Sequence, residues 1–288
     1  MKRLYSSVSF EGKRIVWDYR LRSDAPFQGY YHWHPCFELL FVHEGEGTVI
    51  VNQIAYEIKR GMLFVFQPFH LHKVYPRPSP EQPYIRSKLH FVPEEMADGM
   101  KDFPRRFNLL QRLWEGQDTL CAWDLLEHAE YLEQLLRRYD RQGAAKGHAS
   151  EEDDVLFLLQ LLGVMQEAEG SFGHDAAAGI VRRPLRYSEK IMRWIEGHFA
   201  EEIGLERIAD ELHLSKSYVS RVFRTETGAS LTDYLTARRI KHACRLLQTT
   251  TLPVERIGAE VGLPDASYFV QLFKKVIGTT PLKYRNRA

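Results

Sequence analysis

LERIADELHLSKSYVSRVFRTETG, residues 205–228, and VERIGAEVGLPDASYFVQLFKKVIG, residues 254–278, carry the same pattern of residues. Each stretch holds Glu-Arg-Ile, a short break, Ser-Tyr, a Phe five residues after that Tyr, and a final Gly. Aligning the two Ser-Tyr pairs, at 217–218 and 267–268, gives an offset of 50 residues. Internal duplication of this kind predicts two copies of one small structural unit.

The first copy has the features of a helix-turn-helix. Apolar residues of its opening helix fall on one face, at Ile208, Ala209 and Leu212. The predicted turn is His213-Leu214, and Ser215 is a favourable N-cap for the helix that follows.

The second copy also has the features of a helix-turn-helix, with different residues at the turn and the cap. Gly262 supplies the turn, Pro264 cannot continue the preceding helix, and Asp265 is the predicted N-cap.

The second helix of each copy is predicted to bury one face and expose the other. Its inward residues are aromatic or aliphatic: Tyr218, Val219, Val222, Phe223, and Tyr268, Phe269, Leu272, Phe273. Its outward residues are mostly polar: Ser217, Ser220, Arg221, Arg224, and Ala266, Ser267, Val270, Gln271, Lys274. A polar outer face is what a recognition helix needs in order to read DNA.

SLTDYLTARRIKHACRLLQTT, residues 230–250, connects the two copies. We predict a single helix of about 17 residues there, roughly 26 Å long at the usual rise per residue. Such a spacer would allow the two recognition helices to enter successive major grooves, which lie about 34 Å apart on one side of a duplex.

Residues 186–287 resemble the AraC/XylS family of bacterial transcription regulators. The matching positions include Ile208, Ala209, Leu214, Ser215, Tyr218, Phe223, Gly228, Arg238, Arg239, Gly262, Ser267, Tyr268, Phe273, Gly278, Pro281 and Tyr284, in the family's order. The resemblance implies base contacts through Ser217, Ser220, Arg221, Ala266, Ser267 and Gln271. Two positions depart from the pattern, because Gly258 replaces the usual Ala and Leu263 the usual Phe.

Side-chain chemistry assigns some of these roles independently. Arg221 can pair bidentately with guanine and Gln271 with adenine, whereas Ala266 and Val270 can only touch thymine methyl groups. Phosphates are expected to be held by the basic residues Lys216, Arg224, Lys274 and Lys275. The candidate DNA-binding set is therefore Ser215, Lys216, Ser217, Ser220, Arg221, Arg224, Asp265, Ala266, Ser267, Val270, Gln271 and Lys274.

The charge of the chain is unevenly distributed. Residues 182–288 carry 19 Lys and Arg against 12 Asp and Glu, or +7, which leaves 20 against 26, or −6, for residues 1–181. A basic segment joined to an acidic one favours a polyanionic partner such as double-stranded DNA. The three cysteines form no CxxC pair, and no apolar run or signal peptide indicates a membrane, so we expect the cytoplasm.

The first 91 residues predict a small β-sandwich or barrel. Short segments rich in aromatic and β-branched residues alternate with turns: VSF, RIVWDYRLR, GYYHWH, FELLFVH, GTVIVN, IAYEIK, MLFVFQ and IRSKLHF. GTVIV and IAYEI are predicted to meet in a two-residue hairpin at Asn52-Gln53, although Gln is a poor second residue for that turn.

After Pro93 the periodicity becomes helical, and VLFLLQLLGVM, residues 155–165, is almost wholly apolar. These helices either cover the barrel or share in a dimer interface. The predicted fold is α+β with two domains: a cupin-like sensing and dimerisation domain at 1–168, a linker at 169–185 and an all-α domain with two helix-turn-helix units at 186–288.

HWHPCFELL, residues 32–40, resembles the first motif of a cupin barrel, and Gly61, Pro68 and His72 partly match the second. In metal-loaded cupins the corresponding residues, here His32, His34, Glu38 and His72, hold a divalent metal. Sensor barrels of the AraC type bind small organic effectors with similar residues and no metal. If the barrel binds an organic effector in this way, no cofactor is expected. The two alternatives are that these residues bind a divalent metal, or that the histidines have a purely structural role.

The same region contains aromatic residues that could stack on a sugar ring. Candidate effector-binding residues are Arg20, His32, Trp33, His34, Glu38, His72 and Arg86. We therefore expect a transcription regulator, controlled by a small molecule such as a carbohydrate, that acts as a homodimer and contacts RNA polymerase.

Two other functions remain open from the sequence. One is a cupin metal-dependent enzyme fused to a DNA-binding module, and the other is a constitutive DNA-binding protein whose barrel serves only for dimerisation.

Overall fold

The structure, a computed structural model, describes residues 4–6, 8–25, 27, 29–68, 70–115, 121–146, 149–172, 179–181 and 183–286. Two compact units are distinguished. The N-terminal unit comprises residues 8–29 and 33–182, and the C-terminal unit comprises residues 183–288 with the short segments 1–7 and 30–32. Within the described ranges, no helix is long and apolar enough to cross a membrane.

Eight strands of the N-terminal unit form two antiparallel sheets. In chain order they are β1 (Ile15–Ser23), β2 (Phe37–Glu44), β3 (Gly47–Val51), β4 (Ile54–Ile58), β5 (Met62–Phe66), β6 (His72–Pro76), β7 (Tyr84–Phe91) and β8 (Ala122–Asp124). One sheet has the order β1-β7-β2-β5-β8 and the other β4-β3-β6. The predicted barrel is thus an open sandwich, because the hydrogen-bonded ladders of the described strands fall into two separate sheets.

Four helices cover the outer face of the five-stranded sheet: α1 (Pro93–Met100), α2 (Pro104–Glu115), α3 (Ala129–Lys146) and α4 (Glu151–Phe172). Strand β2 alternates between two cores. Leu39 and Phe41 pack with the helices, whereas Leu40 and Val42 pack with residues of the three-stranded sheet. The unit therefore has three layers, and β2 lies in the middle one.

The apolar segment of α4 is buried in the core that the helices share with the five-stranded sheet. Leu158, Leu162 and Met165 are each 3% exposed or less, so these residues cover the sheet, one of the two alternatives that the sequence leaves open. Leu156, on the same helix, remains 49% exposed. Helix α4 also extends to Phe172, four residues into the predicted linker; residues 173–178 and 182 of that linker lie outside the described residues.

Two predicted strands differ in the structure. VSF at 8–10 has no strand conformation, and within GYYHWH at 29–34 only residues 32 and 33 take part in isolated bridges. Pro35 follows directly and lacks a backbone N–H, so this segment cannot continue a regular ladder into β2. The predicted hairpin is confirmed: Val51 pairs with Ile54, and Asn52 and Gln53 adopt φ of 45° and 72°, as a type I′ turn requires.

A polar network ties the five-stranded sheet to α3. His43, buried in β2, places Nδ1 3.3 Å from Arg20 Nη1 and Nε2 2.8 Å from Ser87 Oγ. Glu133 of α3 lies 3.6 Å from Arg20 and 3.5 Å from Arg60. Because a guanidinium only donates, His43 accepts at Nδ1 and donates from Nε2, so the imidazole is neutral. Burial, together with Arg20 and Arg60, lowers the pKa of His43 to about 4.

The C-terminal unit is helical, with α5 (Tyr187–His198), α6 (Leu205–Glu211), α7 (Lys216–Thr227), α8 (Leu231–Thr249), α9 (Val254–Glu260), α10 (Ala266–Ile277) and α11 (Pro281–Arg285). Helix α7 packs on α5, α6 and α8, and α10 packs on α9, α8 and α11. Both helix-turn-helix units are therefore built on α8, which has 19 residues and spans about 28 Å.

The pKa of His43 generates a prediction about acid stability. Since this pKa lies below the ordinary value of 6.5, the unfolded chain binds the proton first. The contribution of neutral His43 is complete above pH 6.5 and is lost as the pH falls toward 4. Between pH 8 and pH 5, protonation of His43 in the unfolded chain should lower the free energy of unfolding of the wild type by about 2 kcal/mol. In His43→Gln, whose side chain does not titrate, this part of the decrease should be absent.

Urea titrations of the two full-length proteins at both pH values measure this difference. The pH 8 comparison isolates the effect of altered hydrogen bonds, because His43 is then neutral in both states. Equal pH dependence in the two proteins would contradict the assignment of a neutral His43.

Candidate functional sites

The turn of each helix-turn-helix unit depends on one residue with a left-handed backbone. His213 adopts φ 53° in the first turn and Gly262 adopts φ 78° in the second. A Cβ on Gly262 would also lie 2.5 Å from the carbonyl oxygen of Ala200. Both the left-handed backbone and this close contact therefore disfavour any residue larger than glycine here. Both turns close with the same bond, from Leu214 N to Ala209 O at 2.9 Å and from Leu263 N to Gly258 O at 2.8 Å.

The helices that follow the turns are capped at both ends. Ser215 Oγ accepts from Tyr218 N at 3.3 Å, and Asp265 Oδ1 accepts from Tyr268 N at 2.8 Å. At the other ends Gly228 and Gly278 adopt φ of 80° and 91°, the left-handed C-cap. The predicted caps are confirmed, and Ser215 and Asp265 use their side chains to begin α7 and α10.

The residues predicted to contact DNA lie on accessible faces of α7 and α10. Ser215, Lys216, Ser217, Ser220, Arg221, Arg224, Asp265, Ser267, Gln271 and Lys274 are exposed, and Ala266 and Val270 are half-buried. The opposite faces are anchored in the unit by Val219 and Phe223 on α7 and by Phe269 and Phe273 on α10, all of which are fully buried. Each helix therefore presents a polar surface fixed by an aromatic core.

Tyr268 corrects the predicted inward set, because its side chain is 54% exposed. It lies in the first turn of α10, where the ring extends beyond the neighbours that bury Phe269. Tyr218, at the corresponding position of α7, is half-buried and packs edge-on against Tyr187 of α5 at 5.7 Å. Tyr268 thus adds an aromatic group to the exposed face of α10.

Two basic residues of α7 are held by neighbours. The Lys216 ammonium pairs with the Glu206 carboxylate of α6, which lowers the pKa of that carboxyl group. The guanidinium of Arg221 lies over the Tyr218 ring, 5.5 Å from its centroid. Stacking on an aromatic ring restricts the Arg221 side chain and leaves the N–H groups at its rim free to donate.

The N-terminal unit contains a second cluster, centred on the buried carboxylate of Glu38. His34 Nε2 lies 2.8 Å from Glu38 Oε2, His90 Nε2 lies 3.2 Å from it and His72 Nε2 lies 3.4 Å from it. Burial by itself would raise the pKa of Glu38, but His90, His34 and His72 outweigh burial and hold it well below its ordinary value. Candidate ligand atoms of His34, Glu38 and His72 all lie within 4.8 Å of one another.

Three further predicted effector residues are Trp33, His32 and Arg86. Trp33 is buried, and His32 places Nδ1 3.1 Å from the Tyr30 carbonyl oxygen. Arg86 lies over the Tyr84 ring at 4.9 Å and donates to Ser23 Oγ at 2.7 Å.

Arg20 and Glu38 lie on opposite faces of the five-stranded sheet. Arg20 contacts His43 and Glu133 on the face of the five-stranded sheet that α3 covers, whereas Glu38 lies on the opposite face of β2. A ligand between the two sheets would not meet the Arg20 guanidinium.

His90 was not among the predicted site residues. It pairs with Glu38 across the β2–β7 ladder, so the two side chains lie on the same face of neighbouring strands. The segment IRSKLHF was predicted as a strand, but nothing in the sequence fixes its register against β2.

The sequence matches two protein families. Residues 208–287 match the helix-turn-helix domain family, and residues 19–162, half of the chain, match the AraC-like ligand binding domain family. The matched ranges cover the helix-turn-helix region from within α6 onward and most of the N-terminal unit.

Two named regulators and one solved domain are similar in sequence to parts of this chain. The HTH-type transcriptional activator RhaR of Enterobacter sp. (strain 638) is 24% identical over 263 residues, 89% of this chain and 87% of that protein. The arabinose operon regulatory protein of Escherichia coli (strain K12) is 30% identical over 159 residues, 55% of this chain and 52% of that protein. The solved C-terminal domain of AraT, a response regulator from Geobacillus stearothermophilus, is 33% identical and covers 37% of this chain and 89% of that one, with a TM-score of 0.36.

Gly258, which departs from the family pattern, provides a test of the second turn. A Cβ at this position would lie 2.9 Å from the Leu263 carbonyl oxygen and 3.1 Å from the Phe269 ring. Gly258→Ala should therefore lower the free energy of unfolding by about 1 kcal/mol, since strain exceeds the gain in helix propensity. Thermal unfolding of the full-length variants measures the change.

Gly197 is the matched control because it lies in α5 of the same unit and a Cβ there would meet nothing within 4 Å. Gly197→Ala should raise the free energy of unfolding by up to about 1 kcal/mol. Stabilisation by both substitutions would show that the second turn is not tightly packed.

Proposed function

This chain belongs to the AraC family of DNA-binding transcription regulators, and we propose that it reads specific DNA sequences through α7 and α10 under the control of a small molecule bound in the N-terminal unit. The observation that carries the proposal is the pair of capped helices, each with a buried aromatic anchor and an exposed polar face. Its relatives are named as transcription regulators rather than as enzymes, and the chain is accordingly a regulator and not a cupin enzyme.

The proposed division of labour follows the chain. Residues 1–168 sense the effector and form a homodimer, residues 169–185 link, and residues 186–288 bind DNA and contact RNA polymerase. Exposed Leu156 and Tyr131, on neighbouring helices α4 and α3, support a dimer interface on the helical layer. The protein works in the cytoplasm, since it must share a compartment with the DNA that it reads.

DNA recognition is proposed to divide between base-reading and phosphate-holding residues. Arg221 pairs with guanine and Gln271 with adenine, supported by their exposure on the outer faces of α7 and α10. Arg224 and Lys274, in the last turns of the same helices, hold phosphates. Lys216 also holds a phosphate, which requires it to exchange its bond to Glu206 for one to the DNA.

Substitutions on the two helices should separate these roles. Arg221→Ala and Gln271→Ala are each expected to weaken binding to the selected site by about 1–3 kcal/mol and to relax base preference at one position. Lys274→Ala should instead weaken binding to all duplexes alike and reduce the salt dependence of log K by about one unit. Selection from random DNA, followed by fluorescence anisotropy at several salt concentrations, measures both quantities.

Lys13→Ala is the control, because it removes an exposed positive charge from the N-terminal unit, outside both helix-turn-helix units. Its affinity and base preference should match those of the wild type. A chain that selects no sequence from random DNA, or an Arg221→Ala variant with unchanged preference, would refute the proposed mode of reading.

The effector is proposed to be a carbohydrate that binds between the two sheets. Support comes from the combination of aromatic rings with polar groups, of which Trp33, Tyr84 and Arg86 are examples, and from the name of the arabinose operon regulatory protein. Such a ligand regulates DNA binding only to the extent that it binds two states of the protein with different affinity.

Arg86 and Arg20 offer a matched pair for testing the effector site. A panel of mono- and disaccharides should contain at least one that raises the melting temperature of the wild-type protein and changes its affinity for the selected DNA. Arg86→Met should abolish that response, and Arg20→Met should keep it, because Arg20 lies on the other face of the sheet. Thermal shift assays score the panel, and a response lost only in Arg20→Met would place the ligand elsewhere.

A further inference from the structure

A cavity of about 720 Å³ lies in the N-terminal unit, between the segment that enters β1 and the junction of α3 with α4. Its described lining residues fall in the ranges 9–17, 139–144 and 149–154, and none of them belongs to the predicted effector set. Cavities of this size hold small organic molecules. We propose that this cavity binds a small organic amine, whose protonated ammonium group pairs with Asp154 and Asp140.

Asp154 is the buried charge of the cavity. It lines the cavity from the start of α4 and is only 4% exposed. Its Oδ1 accepts a hydrogen bond from the Tyr139 hydroxyl group at 2.6 Å, and it forms no ion pair with any residue that the structure describes. Burial is the largest influence on this carboxyl group, and it raises the pKa of Asp154. Buried carboxylates normally have a counter-ion, and a cationic ligand would supply the one that is missing here.

Asp140 offers a second carboxylate to the same ligand. Trp17 donates from Nε1 to Asp140 Oδ1 at 3.2 Å, and no described residue forms an ion pair with Asp140. The rings of Trp17 and Tyr139 pack edge-on, with their centroids 5.6 Å apart, so the two donors belong to one aromatic pair. Each carboxylate is thus positioned by a neutral donor, and its remaining lone pairs are available to the N–H groups of an ammonium ion.

The charges around the cavity favour a cation over an anion. Four acidic residues line it, Glu11, Asp140, Glu151 and Asp154, against the two basic residues Lys13 and Arg14. The Arg14 guanidinium is engaged, because it lies 3.3 Å from the Glu151 carboxylate. The N-terminus of α4 by itself would attract an anion, but acidic side chains already occupy its first turn. An anionic ligand would therefore be repelled.

Gly143 leaves room for the apolar part of the ligand. It lies within α3, where glycine weakens a helix relative to alanine. A Cβ at this position would meet only Ala149 N, at 3.9 Å, so packing does not require a glycine here. The missing side chain keeps the cavity open at the expense of helix stability.

Binding of amines to the full-length protein tests the site. The probes are putrescine and phenethylamine, with butanediol and phenethyl alcohol as their neutral counterparts, and ammonium and potassium chloride as inorganic cations at equal ionic strength. Calorimetric titration should show that at least one amine binds with one site per chain, and thermal unfolding should show a raised melting temperature. The neutral counterparts should do neither.

Three variants separate the charge from the shape of the cavity. Asp154→Asn keeps an oxygen that can accept from Tyr139 but removes the charge, and it should weaken amine binding at least about 30-fold. Gly143→Leu should abolish binding by filling the cavity. Glu152→Gln is the matched control, because it removes the same charge from an exposed position in the first turn of α4 that does not line the cavity. It should bind the amine like the wild type.

Circular dichroism checks that the variants fold, and Asp154→Asn should fold readily because it relieves a buried charge. The proposal is overturned if no amine binds more tightly than its neutral counterpart, if ammonium or potassium binds as tightly as the amine, or if folded Asp154→Asn keeps the wild-type affinity. An equal loss in Glu152→Gln would also overturn it. None of these measurements involves DNA or a sugar, so their outcome is independent of the proposed DNA reading and effector site.

Discussion

From Phe37 to His43, strand β2 has no face open to water, and this constraint determines the chemistry of the N-terminal unit. Its odd-numbered residues pack against the helical layer and its even-numbered residues against the second sheet. A polar side chain on such a strand must find its partners inside the protein, since an unpaired buried charge is very costly. Glu38 and His43 are the two cases, one on each face. Glu38 contacts imidazoles from both sheets. His43 contacts Arg20 and Ser87, and Arg20 in turn pairs with Glu133 of α3.

The C-terminal unit solves one structural problem twice with different residues. Each turn needs a left-handed residue followed by a bond back to the first helix; His213 meets this need in one copy and Gly262 in the other. The second turn is also one residue longer between the left-handed residue and the cap, Asp265. Gly258 follows from this packing, because the Leu263 carbonyl and the Phe269 ring occupy the space that a Cβ would need. The departure from the family's usual Ala is therefore explained by close packing around Gly258.

Much of this architecture could be predicted because it depends on local patterns. The caps at Ser215 and Asp265, the hairpin at Asn52-Gln53 and the strand FELLFVH follow from residue preferences and from alternation within a few residues. Predictions that required knowledge of distant neighbours were less successful. Tyr268 was predicted to be buried, and the pairing of His90 with Glu38 was not predicted, because strand register and the reach of packing partners are set by residues far away in the sequence. The sequence also left open whether these strands form a sandwich or a barrel, since pairing between the two sheets cannot be inferred from either one.

The open sandwich gives the Glu38 cluster a structural consequence. Glu38 and His90 belong to strands of the five-stranded sheet, whereas His72 belongs to β6 of the three-stranded sheet. No hydrogen-bonded ladder among the described strands joins these two sheets, so the side chains between them carry the connection. The polar contact between Glu38 Oε2 and His72 Nε2, at 3.4 Å, links both sheets through an interaction that is more directional than apolar packing, and it opposes sliding of one sheet over the other. A ligand that binds between the sheets would require such sliding or opening, so its binding would be coupled to the geometry of the Glu38–His72 contact.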